Sequence, residues 1–403
     1  MAQLKAPIYI DATTLRGLSG IRGIGRYVRD LLVGLATVVD TDAPDLELHA
    51  VTDVGPSGLV TTRDLRSAAE DVAEKRSTGQ SAVSLGRRTL LAPLAARAGA
   101  KLLHLAEIRG TPLVRPIPMV VTCYDLIPLR YPHEYLGKAF VSARHPTRSP
   151  GYWVRYLKDL RRYRSASRVV CISERTRDDL LSLLHIPPER VDVVRTGLRL
   201  GRYADLGPSP VGVRPRPFAV YVGHADWRKN VPTMFEALRI ANERTPLDLM
   251  WVGGLKSGDL AAMKALAKAR GVEDRVFFTG YVDDAGLARL YKDAVALLFL
   301  SRLEGFGLPV LEAMAAGCPA IVARDSAADE VAGEAGYIVD PDDAFGAAAH
   351  LTHLVANPDA RAALVTAGLA RAPLYNALDM ARGYLESYRR TLPSTARSGA
   401  RSA

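Results

Sequence analysis

The sequence predicts an α/β protein built from two Rossmann-like parallel-sheet domains that face each other across a cleft. Three observations carry this. Short β-branched runs alternate with amphipathic helical stretches, the pattern of parallel strands covered on both faces. The alternation stops in a Pro/Gly-rich stretch over 207–217 that lacks periodicity, then starts again, which marks a linker. The length, 403 residues, suits two domains at about 150 residues each.

Taken in order, residues 9–11 end a first strand, and a loop with Gly20, Gly23 and Gly25 precedes a helix over 26–37. A strand follows at Leu46–Val54, and a charged helix at 64–76. Met119–Cys123 and 169–172 are β-branched runs, each followed by a polar turn. Ser173 starts a helix to Leu184 that Pro187 and Pro188 stop, and 191–194 is again strand-like. This first domain is assigned to 1–206. The second series has strands at 218–223, 249–253, Val276–Gly280, 296–301, Ala320–Ala323 and 337–339, and is assigned to 207–372. An amphipathic stretch at 377–390 lies in a segment, 373–392, expected to cross back onto the first domain. Ligands of such sheets bind beyond the strand C-termini.

Composition excludes several classes. With 48% hydrophobic and 24% charged residues, the chain is neither fibrous, disordered nor a disulfide scaffold. No run approaches the ~18 apolar residues of a membrane-spanning helix. The start, MAQLKAPIYIDATTL, reads as a strand rather than a secretory signal. Cys123, Cys171 and Cys318 each sit in apolar runs and read as buried thiols, so the expected location is the cytoplasm. The net charge of +10 is uneven: residues 101–200 hold 18 basic and 9 acidic residues. Such a surface suits an anionic membrane, an acidic substrate or nucleic acid, or simply keeps the chain soluble.

The strongest local signal runs from Glu304 to Glu312 as EGFGLPVLE. A strand ends, a glycine-rich turn follows, and a helix begins near Pro309, a residue suited to a first helical position. Free N–H groups there make an anion site. Glu304 lies in the loop and Glu312 on the helix's first turn, two carboxylates able to accept from sugar hydroxyls on either side of a diphosphate. A second signal is GHADWRKN from Gly223 to Asn230, after a strand. Arg228 as a planar fork and Lys229 as a point charge suit a diphosphate.

The first segment resembles the E-x7-E motif of the retaining family-4 glycosyltransferases, which have the GT-B fold. The similarity extends through 276–282, 290–294, 313–319, Glu330 to Gly333 and Asp340-Pro341, most of residues 218–345. The resemblance implies that Glu304 and the backbone of Phe306, Gly307 and Leu308 hold a donor hexose, and that Glu312 holds the nucleotide ribose. It implies that Lys229 binds the diphosphate; many members carry an arginine directly after Gly223, where this chain has His224, so Arg228 is taken as the second cation. The loop around Tyr281 and Val282 would receive the base.

Near the N-terminus, Arg22 to Tyr27 (RGIGRY), together with Tyr124-Asp125 and Tyr131-Pro132, is similar to the branch containing bacterial mannosyltransferases of polysaccharide biosynthesis. On that likeness Gly23 and Gly25 close on the donor β-phosphate, and Asp125 reaches a sugar; without it, Asp125 reads as a turn or capping residue. Tyr124, Arg26, Arg148 and Tyr152 are candidate acceptor contacts. The latter two belong to a basic, aromatic stretch, 144–164, which reads as a packed amphipathic helix, an acceptor surface or a membrane face.

Metal signals are absent from the sequence. Asp40-Thr41-Asp42, read as a polar loop, and Asp340-Pro341-Asp342 mimic a D-x-D motif, but histidines and cysteines offer no ligand spacing. The resemblance thus implies a retaining hexosyltransferase, expected to be metal-independent and without cofactor. Its donor is taken as GDP-mannose or, alternatively, a UDP-sugar, and its acceptor as an oligosaccharide or glycolipid. Contact with the inner membrane face is a further reading. The rival classes are a sugar-nucleotide 2-epimerase, which lacks the E-x7-E context, and a nucleic-acid-binding protein, which is not favoured.

Overall fold

The computed structural model describes residues 5–16, 23–54, 60–74, 88–108, 112, 114–132, 134–135, 150–203, 208–210, 212 and 216–393. The chain divides into two compact units, 1–198 with 375–403, and 199–374.

The first unit holds a seven-stranded sheet: β1 (Ala6–Asp11), β2 (Leu46–Val54), β3 (Val60–Arg63), β4 (Leu102–Leu105), β5 (Met119–Cys123), β6 (Arg168–Cys171) and β7 (Val191–Val193). Their spatial order is β3-β2-β1-β4-β5-β6-β7. All neighbours are parallel except β2 and β3, which pair antiparallel. The expectation of a purely parallel sheet is thus corrected at one edge. β3 is short, polar and half-exposed, so it lacked the apolar run that marks the other strands. β4 also escaped the sequence reading because only four residues, all buried, form it.

Helix Gly23–Asp42 begins three residues earlier than expected and ends later. Gly23 and Gly25 therefore lie in its first turn rather than in a loop, and Asp40-Thr41-Asp42 closes the helix instead of forming a loop. Ser173 does cap the helix Glu174–Leu184, its side chain accepting from Thr176 N–H. The three cysteines are free and buried, and burial pushes the Cys318 thiol up to about 12.

The C-terminal helix Ala377–Thr391 belongs to the first unit. Its Tyr388 and Tyr384 enter a buried relay of hydrogen bonds. Tyr388 meets His104 Nδ1 at 2.7 Å, His104 Nε2 meets Thr122 at 2.9 Å, Thr122 meets Tyr384 at 2.6 Å, and Tyr384 meets Tyr27 at 2.6 Å. Burial holds the His104 imidazole neutral, its pKa down to about 3. Each buried polar group in the relay has a partner, which is why these tyrosines can sit in a core.

The second unit holds an all-parallel six-stranded sheet: β8 (Phe218–Val222), β9 (Asp248–Val252), β10 (Val276–Gly280), β11 (Leu297–Phe299), β12 (Ala320–Ala323) and β13 (Gly336–Val339). The order is β10-β9-β8-β11-β12-β13. Trp251, Tyr221, Tyr291, Phe235 and Phe299 are fully buried and fill its core. The boundary expected at 206/207 falls at 198/199. The turn Leu200–Tyr203 goes with the second unit, where Arg202 faces Asp284 at 3.8 Å on helix Asp284–Asp293. The boundary expected at 372/373 lies at 374/375.

Candidate active site

In each sheet the strand order reverses at one point: between β1 and β4 in the first unit, and between β8 and β11 in the second. Loops leaving two such strands diverge to opposite faces and open a crevice at their C-terminal ends. Arg228, Lys229 and Glu304 of the second unit meet there.

After β8 the chain forms a single 3-10 turn, Trp227–Lys229, capped by the Asp226 side chain, which accepts from Arg228 N–H at 3.2 Å. After β11 the loop carries Glu304. Lys229 Nζ donates to Glu304 Oε1 at 2.6 Å, and Arg228 Nη1 donates to Oε2. One carboxylate is thus gripped by two cations from the facing loop, in an environment where Lys229 is only 7% exposed. Burial opposes ionisation of Glu304, yet Arg228 and Lys229 outweigh it and hold the carboxyl down to about 2. Burial lowers the Lys229 ammonium to about 8, with Arg228 adding to the drop and Glu304 resisting it. Its charge also rests on the Phe299 ring, 4.7 Å from the centroid.

Two glycines allow this approach. A Cβ on Gly223 would stand 2.6 Å from the Tyr221 hydroxyl, so a side chain there would collide with that phenol, which lies beside the lysine. Gly307 has φ +124°, and a Cβ on it would meet Ala328 Cα at 2.8 Å. It precedes helix Leu308–Ala315, so the N-terminal end of that helix adjoins the same loop. Phe306 is buried, and Glu304 N–H donates to Ser326 Oγ at 3.1 Å.

Glu312 corrects its expected place. The helix starts at Leu308, so Glu312 is on the second turn; it is 2% exposed, and Tyr291 OH donates to its Oε2 at 3.2 Å. Tyr281 is exposed. With Val282, Asp283, Pro210 and Phe277 to Thr279, it lines an open depression of about 490 Å³ at the end of β10.

Sequence reasoning missed a brace around this loop. Arg302 Nη2 donates to Asn230 Oδ1 at 3.0 Å, its other amine reaches Asp342 at 2.9 Å, and its guanidinium lies 5.5 Å from the Trp227 ring. Asn230 sits at φ 55°, a conformation asparagine tolerates better than most residues. The pairing of RKN with a distant arginine has no sequence signature. Asp340 faces Arg324 at 3.4 Å and Asp342 takes Arg302, so both acids of the D-x-D look-alike take arginines. Among the described residues no group of three or more His, Cys, Asp or Glu could hold a metal ion.

In the first unit, Tyr124 and Asp125 follow β5. Asp125 is exposed, and its Oδ1 accepts from Ile127 N–H at 3.1 Å, opening the short helix Ile127–Arg130. The Tyr124 ring meets Tyr27 edge-on at 5.2 Å, and burial holds its phenol well above the ordinary range. Arg26 lies in the first turn of helix Gly23–Asp42, and Tyr152 in helix Pro150–Tyr163. Arg148 and Gly20 lie outside the described residues.

Residues 21–202 match the model of "Glycosyltransferase Family 4", and residues 212–371 that of "Glycosyl transferases group 1". This chain belongs to the family-4 glycosyltransferases of the GT-B fold. Among curated relatives of this chain, the O-antigen chain mannosyltransferase B of Escherichia coli is 27% identical over 223 residues, 53% of this chain and 58% of the relative. The D-inositol 3-phosphate glycosyltransferase of Frankia alni is 30% identical over 249 residues, 57% of this chain and 60% of the relative. The chain thus matches somewhat over half the length of these relatives. Among solved structures, sucrose-phosphate synthase from Thermosynechococcus elongatus superposes with a TM-score of 0.69 at 20% identity, covering 96% of this chain and 99% of the other. Anabaena HepE in complex with UDP and glucose superposes at 0.65 and 16% identity, covering 95% and 99%. At such identities the two structures support the fold alone.

Proposed function

We propose that this glycosyltransferase moves mannose from GDP-mannose to a hydroxyl of an oligosaccharide or glycolipid, with retention at the anomeric carbon and without a metal. The observation that carries the reading is the Arg228–Glu304–Lys229 cluster at the switch point of the second unit. Departure of a nucleoside diphosphate builds negative charge on its terminal phosphate. Two cations preset by a carboxylate, beside the N-terminal amides of helix Leu308–Ala315, would stabilise that charge. Glu304, ionised throughout the neutral range, would accept from donor hydroxyls. The bond from the anomeric carbon to phosphate breaks, the acceptor oxygen bonds to the same face, and the acceptor proton passes to the departing phosphate. Asp125 would orient the acceptor rather than act as a nucleophile.

The preference for mannose rests on the RGIGRY and Tyr124-Asp125 likeness and on the E. coli O-antigen mannosyltransferase among the relatives. The second reading is a UDP-sugar donor, the alternative that the sequence leaves open. Thermal-shift screening of GDP-, UDP- and ADP-sugars separates them: GDP-mannose is expected to raise the melting temperature most, since a ligand stabilises by its affinity. A larger shift with UDP-sugars would replace the donor, and no shift with any nucleotide sugar would overturn the reading.

A further inference from the structure

The turn that carries Arg228 and Lys229 is held from two sides. Glu304 grips the charged ends of both side chains. The second hold is on the turn itself and comes from Arg302, three residues beyond β11. Its backbone N–H donates to the Arg228 carbonyl at 2.8 Å. Its guanidinium reaches further: Nη2 donates to Asn230 Oδ1 at 3.0 Å, and both terminal amines meet the Asp342 carboxylate, Nη1 at 2.9 Å. Asn230 closes the circuit, since its Nδ2 donates to the Pro341 carbonyl and its Oδ1 also accepts from the Thr233 hydroxyl at 2.9 Å. The loops after β8, β11 and β13 of the second unit are thus tied together at Arg302.

Asn230 is 2% exposed and stands at φ 55°, directly after Lys229 and before helix Val231–Asn242. The left-handed conformation turns the chain at this residue, so holding its side chain fixes where the Trp227–Lys229 turn ends. Adjacent like charges repel, and Arg228 does push the Lys229 ammonium toward its neutral form. Glu304 offsets that repulsion while both cations face it, but an arriving diphosphate competes for the same two cations. The Arg302 contacts are made to the Arg228 carbonyl and to Asn230, away from the charged ends, so they persist through binding. A site whose donors are preset in this way loses less affinity to ordering.

We propose that Arg302 is a positioning residue for donor binding: by bracing Asn230 against Asp342 it presets Arg228 and Lys229 for a nucleoside diphosphate. The inference rests on the diphosphate part of the reading above and is independent of the base. A lysine keeps the charge but cannot bond Asn230 and Asp342 from one plane.

The test uses the full chain. Affinities for GDP and for UDP are measured by calorimetry in wild type, Arg302→Lys, Asn230→Gly and the double variant, with melting temperatures alongside. Glycine suits φ 55°, so Asn230→Gly removes the side-chain link without straining the backbone. For the nucleotide that wild type binds more tightly, each single variant is expected to lose about tenfold in affinity, the effect of one charge-assisted hydrogen bond. The double variant should also lose about tenfold rather than about a hundredfold, because both changes cut the same link. A bond that serves the fold alone would lower the melting temperature and leave nucleotide affinity as it was. Unchanged affinity in Arg302→Lys, or additive losses in the double variant, would overturn the inference while leaving the diphosphate reading intact. A wild type that binds neither nucleotide would sink that reading, and the inference with it. Should Arg302→Lys or the double variant not fold, Asp342→Asn decides. It unties the guanidinium at an exposed carboxylate and is expected to weaken the same nucleotide several-fold; unchanged affinity there would overturn the inference.

Discussion

Replacing Glu304 with glutamine keeps the side chain's shape and removes the carboxylate that Arg228 and Lys229 both grip. Holding this carboxyl at about 2, against an ordinary 4.5, stabilises the fold by about 3 kcal/mol at neutral pH. The folded value lies below the unfolded one, so that contribution is complete above pH ~4.5 and lost as the pH falls toward 2. Lys229 runs the other way. Its ammonium is lowered from 10.5 to about 8, which costs about 3 kcal/mol at neutral pH, a cost relieved as the pH rises from 8 to 10.5. The two nearly cancel, as expected of a buried ion pair. The cluster therefore contributes little to stability and its charge is available for binding. In Glu304→Gln, Lys229 loses the partner that supports its charge and its pKa falls below 8, while both cations become free for a diphosphate. Turnover, read as GDP release in the presence of acceptor, is expected to drop by about 10²–10³. GDP affinity by calorimetry should hold within a few-fold. The variant's melting temperature should also change less than the wild type's between pH 4.5 and 3. Near-wild-type turnover would refute the assignment. So would a loss of GDP affinity parallel to the loss of turnover, since Glu304 would then only hold the cations in place.

The remaining predictions are more direct. Lys229→Ala should weaken GDP binding as well as reduce turnover by about 10²–10³, and unchanged GDP affinity would place the diphosphate elsewhere. Dialysis against EDTA should leave turnover largely intact; loss restored by Mg²⁺ or Mn²⁺ would show a metal requirement. Gly307→Ala forces a Cβ to 2.8 Å from Ala328 Cα at φ +124°, so it should cost about 1–3 kcal/mol of stability, visible as a lower melting temperature together with lower turnover. Helix Pro150–Tyr163 exposes Val154 and Leu157 beside Lys158 and Arg161. It is therefore expected to dock on anionic vesicles at low salt and release at high salt, and no co-sedimentation at low salt would remove the membrane reading.

Much of the fold was legible in the sequence because it rests on local patterns. β2, β5, β10 and β12 appear with their expected bounds, since a buried parallel strand is a short continuous apolar run and nothing distant is needed to see it. Ser173 and the EGFGLPVLE turn were legible for the same reason: caps and glycine turns are written within a few residues. The chemical types of the site residues were also written there, but not which of them meet. Arg228 and Lys229 reach Glu304 across about 75 residues because β8 and β11 are neighbours in the sheet. Sheet order is a long-range choice that local spacing does not encode. The same choice sets Asp11 beside Glu107 and brings in Arg88, which stands in a stretch with no pattern of its own. It also placed β3 antiparallel at an edge and sank Glu312 against Tyr291. The sequence by itself determined the two α/β series and the kinds of charge at their loops. Only the tertiary structure decided which charges share a crevice, because burial and pairing energies depend on neighbours that the packed sheet alone selects.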